Sequence, residues 1–125
     1  VKFFLIAGAV NALLSVAFGA FGAHMLEGRV ADKYLATWQT AVQYQMFHSI
    51  GLMVVALLMS STLIGQLGSL SWAGYLMLAG IVIFSGSLYV LSLTGISVLG
   101  AITPIGGVAF IAGWVMLIIA AVKAL

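Results

Sequence analysis

From Phe3 to Leu26 the chain runs without a charged residue, and from Tyr34 to Val122 it does so again. Apolar residues follow one another through both stretches instead of alternating with polar ones, as they would along a lipid-facing strand, so the pattern predicts helices. One crossing of a bilayer takes about 20 apolar residues at about 1.5 Å of rise each. The first stretch accommodates one crossing, and the second accommodates three if it is interrupted twice. Two interruptions are legible: Ser60-Ser61-Thr62 with Gly65-Gln66-Leu67-Gly68-Ser69, and the run from Thr94-Gly95 to Gly100. The spacing predicts an all-α integral membrane protein. It is a single transmembrane domain, a four-helix bundle with helices over about 3–23, 34–59, 72–93 and 104–122 and both termini on the same side. Thr103 before Pro104 reads as a cap followed by a first-turn proline. A cleaved leader is the competing reading of the first segment, given Lys2 and the small residues near Ala20 and Ala23. Leader cores are about 7 to 15 apolar residues long, shorter than this run, which favours a helix of the bundle.

Composition agrees with the pattern, since 65% of the 125 residues are hydrophobic and 5% are charged, against roughly a quarter charged in soluble domains. The termini share one side, here called the terminal side, with Lys2 and Lys123; the hairpin side, with the Met25 to Lys33 loop, carries Arg29 and Lys33. Basic residues are balanced, so they do not orient the bundle. A net charge of +2 gives no reason to expect nucleic acid as a partner. The expected partners are the lipid bilayer, and within it a larger membrane complex or a second copy of the chain. There are no cysteines, which removes disulfides and thiolate metal sites.

Gly8, Asn11, Ser15, Gly19 and Gly22 of the first helix fall within about 80° of one another. With Ala109-xxx-Gly113 in the fourth helix they form small-residue stripes that let backbones approach closely in lipid. Such stripes serve contacts within one bundle or contacts between subunits.

Once the helices alternate in direction, most polar side chains fall toward the hairpin side: His24; Gln39, Gln43, Tyr44, Gln45 and His48; Ser85, Ser87, Tyr89 and Ser92; Thr103. His24, Gln43, Gln45, His48, Ser85, Ser87 and Tyr89 are the candidate lining of a polar pocket open to that side. The alternative for each is a hydrogen bond to a neighbouring helix. His48 is the leading candidate, because it lies about 16 Å from the Met59 end of its helix, close to mid-membrane. Metal ligation is a weak reading for two histidines without a nearby carboxylate or thiolate, and the scattered methionines read as apolar filler. The aromatic residues Tyr34, Trp38, Tyr44, Trp72, Tyr75, Tyr89 and Trp114 read as interface anchors or contacts within the bundle. Ser85-Gly86-Ser87 has no base and orienting carboxylate beside it, and the spans hold no acid or lysine, so neither catalysis nor a cofactor is expected.

Four motifs in order carry a resemblance: Gly19-Ala20-Phe21-Gly22-Ala23-His24; Gln39-Thr40 with Val42-Gln43-Tyr44-Gln45-Met46-Phe47-His48; Phe84-Ser85-Gly86-Ser87-Leu88-Tyr89; and Thr103-Pro104-Ile105-Gly106-Gly107. Together they resemble the DUF423 family of small membrane proteins, to which the animal transmembrane protein 256 group is related. The resemblance implies a four-helix protein of the bacterial inner membrane with cytoplasmic termini and no established activity. Three functional expectations remain: an accessory or scaffold protein associating through its small-residue faces, a carrier or binding protein for a small polar or amphipathic molecule, and an enzyme that borrows its chemistry from an external metal or cofactor.

Overall fold

A computed structural model describes residues 1–61 and 68–124. Thr62 and Gly65-Gln66-Leu67, part of the first anticipated break, lie outside the described residues. Four helices account for almost all the rest: α1 (Lys2–Leu26), α2 (Asp32–Met59), α3 (Gly68–Thr94) and α4 (Thr103–Ala124), the last preceded by a short 3-10 turn over Ser97–Ala101. Each is long and apolar enough to cross a bilayer.

The hairpin turns follow from glycine. Gly28 and Gly95 have φ of +79° and +72°, a left-handed conformation that costs glycine nothing and other residues about 1 kcal/mol or more. Gly95 ends α3 by donating its N–H to the Leu91 carbonyl at 2.8 Å. At the other end of α3, Gly68 and Ser69 belong to the helix and not to the break that the sequence suggested. Thr103 likewise starts α4 from inside the helix, and its hydroxyl donates to the Leu99 carbonyl at 3.3 Å.

The bundle is built as two hairpins, α1 against α2 and α3 against α4, joined through α2 and α3. Accordingly 44% and 39% of the most apolar windows of α2 and α3 are buried, against 17% and 22% along the first and last spans. Phe4, Leu52, Val55, Leu70, Met77 and Ala120 share one core cluster. Phe4 is near the start of α1, Val55 near the end of α2, Leu70 near the start of α3 and Ala120 near the end of α4, so these four helix ends lie together at one end of the bundle.

Small residues set how closely the helices approach. A β-carbon on Gly8 would lie 2.6 Å from Met53 Cγ and 2.9 Å from the Ser49 carbonyl, and one on Gly22 would lie 2.7 Å from the Trp38 ring. Gly19 faces Val42, and Gly113 faces Met77 and the Ala73 carbonyl. Ser15 is buried, and Asn11 and Ala109 are half-buried. The glycines of both stripes therefore abut neighbouring helices of the same chain. Contact within one bundle is the use of these stripes that the structure displays.

Two π turns interrupt the α geometry, over Ala17–Gly22 in α1 and Ile81–Ser85 in α3. Such turns shift the register of a helix while keeping its backbone groups bonded, as a lipid environment demands.

Candidate functional site

The hairpin half of the bundle is organised around Gln45, which is 4% exposed. Its Nε2 donates to Asn11 Oδ1 at 3.0 Å, and its Oε1 accepts from the Tyr89 hydroxyl at 2.6 Å. Asn11 in turn donates from Nδ2 to the Ala7 carbonyl at 2.8 Å. The chain of bonds links α3, α2 and α1 and ends on a backbone oxygen.

Toward the hairpin end an aromatic triad covers this chain. The Phe18, Trp38 and Tyr89 rings meet edge to face with centroids 4.6 to 5.7 Å apart. The Trp38 indole donates to the Phe18 carbonyl at 2.8 Å. Phe18 lies in the α1 π turn, where its carbonyl also receives the Ala23 N–H. The indole lies against Gly22, and any larger residue there would displace it.

His48, 3% exposed, is held from both sides. Nδ1 is 2.8 Å from the Tyr44 carbonyl, and Nε2 is 3.0 Å from Trp114 Nε1. An indole N–H only donates and a carbonyl only accepts, so the tautomer with hydrogen on Nδ1 satisfies both bonds. The ring stacks on Phe110 with centroids 3.6 Å apart, and Phe110 fills the space left by Gly80.

Two of the α3 serines join helices. Ser85 donates to the Ala41 carbonyl at 2.8 Å, tying the α3 π turn to α2. Ser87 lies 2.6 Å from Thr103 Oγ1, and the same hydroxyl donates to the Phe84 carbonyl at 2.9 Å. Ser92 bonds back to the Leu88 carbonyl of its own helix.

The seven candidate pocket residues thus do not line one cavity. Gln45 and Tyr89 form the buried chain, while Ser85 and Ser87 bond at helix contacts. His24 is exposed at the end of α1, with Nδ1 3.8 Å from Glu27 Oε2. It lines a recess of about 250 Å³ with Gly19, Ala20, Ala23, Glu27, Leu35 and Gln39. Gln43 and His48 border a second recess of about 360 Å³ with Tyr44 and Phe47. No three histidine, aspartate or glutamate side chains converge among the described residues.

Sequence reasoning assigned Asn11 to close helix contact and missed it as a member of the Gln45 chain. It also missed that Trp38 and Trp114 act as hydrogen-bond donors inside the bundle. The available signal was depth, since all three sit well within a span, where a polar group needs a partner.

Gln43 differs from the rest. It is exposed and makes no hydrogen bond among the described residues. It lies about 4 Å from the middle of α2, counted at about 1.5 Å per residue. An amide left without a partner at that depth of a bilayer would cost several kcal/mol.

Comparison with known proteins agrees with this architecture. A family model described as "Protein of unknown function (DUF423)" matches residues 18–107. The UPF0382 membrane protein YwdK of Bacillus subtilis is 62% identical over 122 residues, covering 98% of each chain. A UPF0382 membrane protein of Staphylococcus epidermidis is 54% identical over 122 residues, covering 98% of this chain and 97% of its own. No solved structure matches. With the motifs of all four helices, the membrane-spanning lengths and nearly full-length relatives from bacteria in agreement, the chain belongs to the DUF423 family of multi-pass bacterial membrane proteins.

Proposed function

We propose that the protein is an accessory subunit that associates laterally with other protein in the membrane and carries no reaction of its own. The observation behind this reading is the contrast between Gln45, whose amide is bonded on both sides, and Gln43, whose amide faces outward at nearly the same depth. In the hairpin half the buried polar groups close on one another or on helix carbonyls, which stabilises a bundle and offers a ligand little to bind, whereas an outward amide in hydrocarbon calls for a neighbour. Purification from native membranes in mild detergent tests the reading. The expected result is a reproducible assembly larger than one chain, and a lone monomer in every preparation would overturn it.

A second reading rests on the recess beside Gln43, Tyr44, Phe47 and His48. Its volume of about 360 Å³ falls within the range of small-molecule sites. A single amide beside aromatic rings suits an amphipathic molecule such as a quinone or a lipid. Mass spectrometry of the same preparation separates the two: a retained small molecule in a monomer favours binding, and a protein partner favours the accessory role.

A further inference from the structure

The outward face of α2 has a regular spacing. Ala36, Thr40, Gln43, Phe47, Ile50, Val54 and Leu57 recur at alternating intervals of four and three residues, the heptad rhythm of two helices that wind around each other with a left-handed twist. Phe47, Ile50, Val54 and Leu57 are 60%, 54%, 40% and 66% exposed, so the seam is uncovered along its apolar part. From Ala36 to Leu57 it runs about 32 Å, the thickness of a hydrocarbon core. Ala36 and Thr40, on the hairpin side of Gln43, are small enough for two backbones to approach closely there.

Which neighbour fits this seam follows from its polar residue. Two copies inserted with the same topology relate by a twofold axis along the membrane normal, so each residue on the axis meets its own counterpart at its own depth. A carboxamide is one of the few side chains that complements itself, because it carries both a donor and an acceptor. Lipid tails offer neither. A single amide among apolar heptad positions also fixes the register of the pair.

We propose that two copies of this chain pair in parallel through the outward face of α2, with the Gln43 carboxamides bonded to each other near the bilayer midplane. The proposal rests on the lateral association argued above and names its partner. Tyr44, which borders the same recess as Gln43 and Phe47, then lies at the edge of the interface.

The native chain has no cysteine, so single-cysteine variants report one position each. Phe47→Cys, Ile50→Cys and Val54→Cys lie on the seam; Leu13→Cys, Val82→Cys and Val108→Cys are exposed controls on the other helices. Oxidation in native membranes is expected to cross-link the seam variants into dimers and to leave the controls monomeric. Adding Gln43→Leu is expected to lower the cross-linking yield about three- to tenfold, while the melting temperature of the detergent-solubilised monomer stays unchanged. Cross-links at the controls but not on the seam would overturn the proposal, as would a yield unaffected by Gln43→Leu. An uncross-linked seam together with a copurifying larger partner would overturn self-pairing and leave lateral association standing. A lone monomer by both measurements would overturn both.

Discussion

The two halves of this bundle differ in what is added to close helix approach. In the terminal half, shape does the work: Gly8 lets α1 close onto Ser49 and Met53, and the Phe4 ring lies where a side chain on Gly74 would stand. In the hairpin half, hydrogen bonds cross between helices at Gln45, Trp38, Ser85 and Ser87. Lipid tails are as apolar as leucine, so helices in a membrane gain nothing from hiding hydrocarbon and depend on close contact or polar bonds instead. The comparison shows close approach in both halves, at Gly19 and Gly22 as well as at Gly8, with interhelical hydrogen bonds added in the hairpin half.

Substitutions can break this contrast, and the largest effect is expected in the terminal half. Gly8→Val places a branched side chain against the Ser49 carbonyl, and a loss of about 3 kcal/mol or more is expected. Thermal unfolding in detergent would register it as a large drop in melting temperature, and an unchanged value would mean that α1 does not depend on close approach. In the hairpin half, Gln45→Leu removes two interhelical bonds and strands Asn11 Oδ1 and the Tyr89 hydroxyl, at an expected cost of about 1–3 kcal/mol. Because Tyr89 acts through Gln45, a double-mutant cycle with Tyr89→Phe should give less than the sum of the single losses. Additive losses would dissolve the chain into independent contacts. The smallest effect is expected for Ser85→Ala, about 0.5 kcal/mol, since the Ala41 carbonyl that it leaves is a helix carbonyl with its own backbone donor. A loss as large as that of Gln45→Leu would give the α3 π turn a greater share in holding the bundle than its single bond implies.

The architecture was legible in the sequence because it depends on run length: charge-free stretches and glycine-bearing breaks locate four spans whatever their neighbours. The polarisation toward the hairpin side was legible for the same reason, since depth follows from counting residues along a helix. What each polar group touches was not. Gln43 and Gln45 are two residues apart, the same type at nearly the same depth, yet one is bonded on both sides and the other faces out; rotation about the helix axis, set by α1 and α3, makes the difference. Trp114 reaching His48 across 66 residues of chain depends on how α4 lies over α2, which no local pattern encodes. The π turns are equally silent in sequence, for they arise where contacts on both sides of a helix favour different registers.

Those π turns bear on how such a chain tolerates changes of length. In an α-helix, removing one residue rotates everything beyond it by about 100° and turns the buried face toward lipid. A π turn closes its hydrogen bonds over one residue more than an α turn, so a residue lost from Ala17–Gly22 or Ile81–Ser85 leaves an ordinary helix in phase on either side. Each hairpin thus contains one segment where its length can change by a single residue without changing which side chains meet.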